Sequence, residues 1–344
     1  MKESIAWLAK GKDLPAERIR KICTQLLDVH VPDAEKAEFL IALRKKGETP
    51  DEIAAFVRAF LEHARQPVIP HRENGRPLLD VCGTGGDKAG LFNVSTAVMF
   101  VCAAAGARVV KHGNRSISSK SGGADVLAEL GVPIDLGPDE VGDFLARCGY
   151  VFLFAPLYHP AFAAVASVRK ELAARGQLTV FNILGPLLNP AQPDYQLAGV
   201  FQPHLTRVFA DVFALLGRKA AWAVHGKIAG DGGLDEISTL GPTEVCMLDA
   251  NGVHEFCIDP ASLGFSGASL AELAGSDPKH NAKLLIDLLE GRDHGPRLDL
   301  VLLNAAAALC VCEIAHDLPD GIRIARSVIE SGAAREALAR GTGR

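Results

Sequence analysis

The sequence predicts an α/β fold: a large domain built on a mostly parallel sheet covered by helices, plus a small all-helical domain. Three observations lead there. The chain has 344 residues, room for roughly two domains at about 150 residues each. Its first 65 or so residues carry apolar patterns of helical period only. Beyond a connector, short apolar runs alternate with helical patterns, as parallel strands alternate with crossover helices.

Three helical patterns open the chain, clearest in Ile19, Ile22, Cys23, Leu26, Leu27 and in Ile53, Phe56, Val57, Phe60, Leu61. Spacing of this kind puts the apolar side chains on one helix face. The second of these helices begins at Thr49-Pro50-Asp51-Glu52, where Thr49 caps, Pro50 suits the first turn and Glu52 completes a capping box. The connector Gln66 to Pro77 (QPVIPHRENGRP) has no apolar period and sets a boundary near residue 75. The expected division is therefore a helical domain over 1–75 and a large domain over 76–344. In the latter, LLDVC, STAVMFVCAAAG, ARVVKH and ADVLAELG follow one another, then YVFLF, YQLAGVF and AAWAVH with helices between. TEVCMLDANGVHEFCID reads as an antiparallel hairpin turning at Asn251-Gly252. From Ser269 onward the pattern is helical.

Composition excludes several functions. With 36 basic and 41 acidic residues the net charge is -5, spread without a like-charged block, which argues against a sequence-independent nucleic-acid binder. The most apolar stretch, Val94 to Ala107, contains Ser95 and Thr96 and is shorter than the roughly 20 residues that cross a bilayer. The start, MKESIAWLAKGKDL, lacks the apolar core of a secretory signal, so a cytoplasmic location is expected. The eight cysteines show no metal or redox spacing and read as small buried hydrophobes.

Three segments carry chemistry. Asp80 to Ala97 (DVCGTGGDKAGLFNVSTA) puts a glycine-dense turn between a strand and a helix start marked by Asn93 and Ser95. Backbone N–H groups turned inward there, with the helix dipole behind them, make an anion site for phosphate; the same turn also serves plain packing. Neither the dinucleotide fingerprint nor a Walker pattern is present. Lys111 to Gly131 follows the next strand and supplies Lys111, Arg115, Lys120, a histidine, an asparagine and four serines, a set suited to a phosphorylated sugar or to a solvated basic loop. The ends of neighbouring parallel strands would bring both loops together. His225 to Ser238 adds the adjacent carboxylates Asp235 and Glu236. Magnesium commonly takes one or two carboxylates and fills its other positions from water and phosphate oxygens, although such a pair alone is often merely solvated.

DVCGTGGD, FNVSTA, KHGNRSISSKSG, VFNILGPLLNP and GLDEIS, in this order behind a helical N-terminal region, resemble the anthranilate phosphoribosyltransferase family over about residues 5 to 335. The resemblance implies a nucleoside phosphorylase class II type fold whose small domain also receives roughly residues 163–190, and a homodimer formed through the helical domain. It implies transfer of phosphoribose from phosphoribosyl pyrophosphate (PRPP) to the amino group of anthranilate. The products are N-(5-phosphoribosyl)anthranilate and pyrophosphate, the second step of the tryptophan branch. Matching positions for PRPP are Gly83, Gly86, Asp87, Leu91, Asn93, Ser95 and Thr96, then Lys111, His112, Gly113, Asn114, Arg115, Ser119 and Gly123. Those for anthranilate are Gly83, His112, Asn114 and Arg169. Ser95, Asp235 and Glu236 match the ligands of Mg2+, two ions of which accompany PRPP. No acid or base is assigned an obligatory role.

Three positions depart from the family pattern. Lys88 replaces a glycine beside the diphosphate turn, Gly123 replaces a serine, and Leu178 stands where the family has an arginine before VFN. Arg175 lies three positions earlier. These departures bear on affinity and aromatic-acid specificity. A paralogue for another aromatic amine and a pyrimidine nucleoside phosphorylase are the alternative readings; the carboxylate pair and FNILGPLLNP favour PRPP chemistry over the latter.

Overall fold

A computed structural model describes residues 1–69, 77–87, 89–115, 121–228, 232–265 and 267–343. The expected boundary near residue 75, Lys88, Ser119 and Lys120 lie outside the described residues.

The N-terminal region forms four helices rather than three: α1 (Lys2–Leu8), α2 (Ala16–Leu26), α3 (Asp33–Lys46) and α4 (Pro50–Leu61). The capping box of α4 is present, with the Thr49 side chain accepting from the Glu52 N–H and Glu52 accepting from the Thr49 N–H. In α3 the apolar residues crowd into Phe39 to Leu43, and its buried face also includes a lysine. Lys36 is 1% exposed and donates from Nζ to the Ala164 carbonyl at 2.8 Å. That bond ties the bundle to the middle of the chain.

The sheet then builds up through β1 (Leu78–Gly83), α5 (Val94–Ala104), β2 (Arg108–Gly113), α6 (Gly123–Leu130), α7 (Val141–Cys148) and β3 (Tyr150–Phe154). A long connection with α8 (Ala155–Tyr158), α9 (Ala166–Ala174) and α10 (Phe181–Leu184) leads to β4 (Tyr195–Gly199), α11 (Leu205–Leu215), β5 (Ala220–Lys227) and the short β6 (Gly233–Leu234). The hairpin β7 (Thr243–Asp249) and β8 (Gly252–Ile258) precedes α12 (Pro278–Leu289), α13 (Pro296–Val311), α14 (Leu318–Glu330) and α15 (Ala333–Thr342). Strand order is β3-β2-β1-β4-β5-β7-β8, with β6 paired to β5. The first five strands in this order are parallel, and β7 and β8 are antiparallel additions.

One core packs α5, α12, α13 and α15 on one sheet face. The other joins α2, α3 and α4, residues Val165 to Leu188, α11 and the opposite face of β4 and β5. Among the described residues no helix is long and apolar enough to cross a membrane.

Two local readings need correction. The hairpin turns through Ala250 and Asn251, not Asn251-Gly252: Asp249 pairs with Gly252, and the positive φ (+114°) sits on Gly252 where β8 begins. Cys257 is exposed and Cys310 half-buried, so not all cysteines are buried; all eight are free thiols.

Candidate active site

The strand order fixes where the site lies. From β1 the chain moves outward through β2 to β3, whereas β4 to β5 moves the other way, which opens a crevice at the carboxyl ends of β1 and β4. There Gly83 pairs with Gly199. A Cβ on Gly199 would fall 1.5 Å from the Asp235 carbonyl oxygen, and one on Gly83 would fall 3.0 Å from the same atom. Two glycines in register therefore let the Asp235–Glu236 loop lie across the switch point.

The loop is tied to the glycine turn by its acid. The Asp235 carboxylate accepts from Thr84 Oγ1 at 3.2 Å and from the Gly85 N–H, and the Asp235 N–H donates to Asp87 Oδ2 at 3.3 Å. Asp87 also accepts from the Ala89 N–H at 3.0 Å, which closes the turn on itself. Glu236 lies beside Ser95 near the start of α5, where both line one small cavity, and within reach of the Lys111 charge. Burial, then repulsion from Asp87, raises the Asp235 pKa; burial, then repulsion from Asp235, raises that of Glu236. Three crowded carboxylates of hard oxygen donors are a set that a hard divalent cation would relieve. Among the described residues no group of three or more His, Cys, Asp or Glu side chains is arranged to hold a metal alone. The donor set thus fits a magnesium ion that shares its coordination with substrate oxygens.

Lys111 links the two loops. Buried at 4% exposure, it donates from Nζ to the Val81 carbonyl at 2.6 Å and to Ser95 Oγ at 3.0 Å. Asn93 does not cap α5. Instead its side chain donates to the Ser121 carbonyl at 3.2 Å and accepts from Asn281 Nδ2 at 2.9 Å, so it stitches the first loop to the second. Thr96 lies beneath Gly123: a Cβ there would be 3.4 Å from Thr96 Oγ1, ordinary contact with space for the missing serine. Leu91 bridges to Ala274. Asn114 accepts on Oδ1 from the Arg115 N–H, and Arg115 pairs with Asp125 at 2.8 Å; both are exposed.

His112, near the end of β2, is packed against protein. Its backbone N–H donates weakly to Asp80 Oδ1 at 3.4 Å, and the ring Nε2 is buried with no partner among the described residues. Burial pushes its pKa down to about 3, with His159 adding to the effect. A file of rings leads onward from it: His112 to His159 at 5.3 Å, His159 stacked on Phe162 at 5.2 Å, Phe162 to Phe181 at 5.9 Å. Arg169 lies over Phe181 at 5.0 Å, partly buried, with no carboxylate partner among the described residues. Leu178 is half-buried, and Arg175 is engaged by Glu171 on the surface of α9.

Sequence reasoning missed the supports. Asp80 is fully buried beneath Lys111, and burial raises its pKa. Asn304 on α13 holds the backbone of Ile237. Each is a lone polar residue inside an apolar run, LLDVC or LVLLNAAAALCV, which is the signal that a buried polar group needs a fixed partner.

Comparison with known proteins adds the family. Residues 75–335 match the profile of the glycosyl transferase family a/b domain, and residues 2–64 that of its helical bundle domain. An anthranilate phosphoribosyltransferase of Anaeromyxobacter sp. (strain Fw109-5) is 43% identical over 340 residues, 99% of this chain and 97% of that protein. The chain belongs to the anthranilate phosphoribosyltransferase family. The crystal structure of the Thermus thermophilus family member superposes with a TM-score of 0.88 at 39% identity, covering 99% of this chain and 98% of that one. The Saccharomyces cerevisiae member in complex with PRPP and Mg gives 0.84 at 29% identity, covering 95% and 91%. The mostly parallel sheet and helical N-terminal region are thus the architecture of anthranilate phosphoribosyltransferases.

Proposed function

We propose that this chain transfers phosphoribose from PRPP to the amino group of anthranilate and releases pyrophosphate. One observation carries the reading: the glycine turn, the Lys111 loop and the Asp235–Glu236 loop meet over the β1–β4 switch point, joined by Lys111 to Ser95 and Asp235 to Gly85. The yeast relative seen with PRPP and Mg supports the donor and the metal.

In this reading Gly83, Gly86, Asp87, Leu91, Asn93, Ser95 and Thr96 hold the diphosphate side. Gly113, Asn114, Arg115, Ser119 and Gly123 hold the phosphoribosyl side, and Lys111, bonded to Ser95, reaches from that loop to the diphosphate side. Ser95, Asp235 and Glu236 would hold magnesium, two ions in this reading, which would supply positive charge to the leaving pyrophosphate. As the bond from ribose to pyrophosphate lengthens, negative charge builds on the leaving group, where Lys111 and the turn's N–H groups stabilise it without reorganising. Arg169, its guanidinium free of protein carboxylates among the described residues, grips the anthranilate carboxylate. His112, Asn114 and Gly83 line the same pocket. The aromatic amine is neutral at pH 7, and the ammonium formed on attack is acidic enough to lose its proton unaided. His112, with a pKa pushed down to about 3, is a poor base, so alignment of amine and sugar carbon provides much of the rate.

The helical domain, 1–75 with about 163–190 added, forms a homodimer in this reading, and the eight free thiols accord with the reducing cytoplasm. The test is the change in fluorescence as PRPP and anthranilate react, with pyrophosphate release measured alongside. Release independent of anthranilate, or phosphate-dependent cleavage of uridine or thymidine, overturns it.

A further inference from the structure

Asn304 is the one polar residue between Leu300 and Leu309, in the middle of α13, and is 1% exposed. Its amide accepts from the Ile237 N–H at 2.9 Å, donates to the Ile237 carbonyl at 2.9 Å and donates to the Leu300 carbonyl at 2.9 Å. A side chain that pairs both backbone groups of one residue acts as a neighbouring strand would. The peptide groups of α13 are committed within the helix, so only such a side chain lets the helix hold a loop in this manner. Ile237 is itself fully buried and directly follows Glu236. Upstream, Asp235 is anchored through Thr84, Gly85 and Asp87. Glu236 thus sits between two fixed points. Asn304, Ser95 and Glu236 also line one small cavity beneath the strand ends.

We infer that Asn304 is a positioning residue: from α13 it sets the backbone that aims the Asp235–Glu236 pair at the divalent cation. The inference rests on the metal reading proposed above. Without Asn304, two buried groups of Ile237 lose their partners, at a cost the loop escapes only by moving. Residues that orient metal ligands in this way typically matter about 10- to 100-fold for affinity.

Two variants test it in the full-length protein. Asn304→Leu keeps the volume and removes all three bonds; Asn304→Ser retains a hydroxyl that can bond Leu300 one turn back but cannot span to Ile237. Manganese binding in the presence of PRPP, followed by electron paramagnetic resonance, should weaken by about 10-fold or more in both. Hydrogen exchange over residues 233–238 should quicken. Excess Mg2+ should restore most of the rate, with KM for anthranilate unchanged. Wild-type manganese affinity in a folded Asn304→Ser protein overturns the inference, as does loss of fold in both variants, which would make Asn304 a stability element. Failure of the wild-type enzyme to consume anthranilate would instead sink the functional reading, since manganese binding is read without turnover.

Discussion

Gly199 lies directly beneath the main chain of Asp235, so close that the smallest side chain has no place: a Cβ would come within 1.5 Å of the Asp235 carbonyl oxygen. Gly199→Ala must therefore lift the carboxylate loop or bend the end of β4. Overpacking of this kind costs about 1–3 kcal/mol. The expected outcome is a protein that folds with a lowered melting temperature and needs more Mg2+ for half-maximal rate. An unchanged Mg2+ requirement would show that the contact does not govern the loop.

Replacing both Asp235 and Glu236 with Ala removes the oxygens that would hold magnesium against the diphosphate. Turnover at ordinary Mg2+ concentrations should fall by about 100-fold or more, while circular dichroism remains that of the folded chain. A retained rate in the fluorescence assay refutes the metal assignment.

Arg169→Ala should raise KM for anthranilate by roughly 10- to 100-fold, the loss expected for one charge-assisted contact, and leave KM for PRPP nearly unchanged. Equal effects on both constants would place Arg169 elsewhere in the reaction.

His112 gives a stability prediction whose sign follows from its burial. Folded, it stays neutral down to about pH 3, whereas unfolded it takes up a proton near 6.5. Between those values the unfolded chain binds more protons, so this contribution to stability is lost as pH falls. Buried carboxylates such as Asp80, whose pKa is raised, act in the opposite direction, so the comparison must be with a variant. Relative to wild type, His112→Asn should gain about 2 kcal/mol between pH 7 and pH 5 in urea unfolding. A constant difference across that range would mean that His112 is not held neutral.

Gly123→Ser tests a departure from the family pattern. A Cβ there meets Thr96 Oγ1 at 3.4 Å, so the change should be accommodated within about 1 kcal/mol. The restored hydroxyl should lower KM for PRPP several-fold. A rise in that KM would show that this chain's loop has adapted to glycine.

What the sequence made legible was local or periodic. The capping box of α4 needs only Thr49 and Glu52, three residues apart, and the strands and crossover helices announce themselves through apolar period. The hairpin register slipped by one residue because Gly252 tolerates its positive φ either inside the turn or at the first strand position. Asn93 reads as a helix cap by its place before α5, yet a tertiary partner, Asn281, claims its side chain. The pairing of Asn304 with Ile237 spans 67 positions and belongs to no motif. Contacts of that reach arise only once the sheet has brought α13 beneath the loop.

The core beneath the sheet has a practical consequence for anyone cutting the molecule apart. Phe56 and Phe60 of α4 bury their rings in company with Phe181, Phe209 and Phe213, all from beyond residue 180. A fragment ending after α4 would carry those rings into water, and the remainder would present a matching oily scar. Proteolysis in the connector should therefore leave two pieces that stay clamped together until denatured, instead of two parts that can be purified separately.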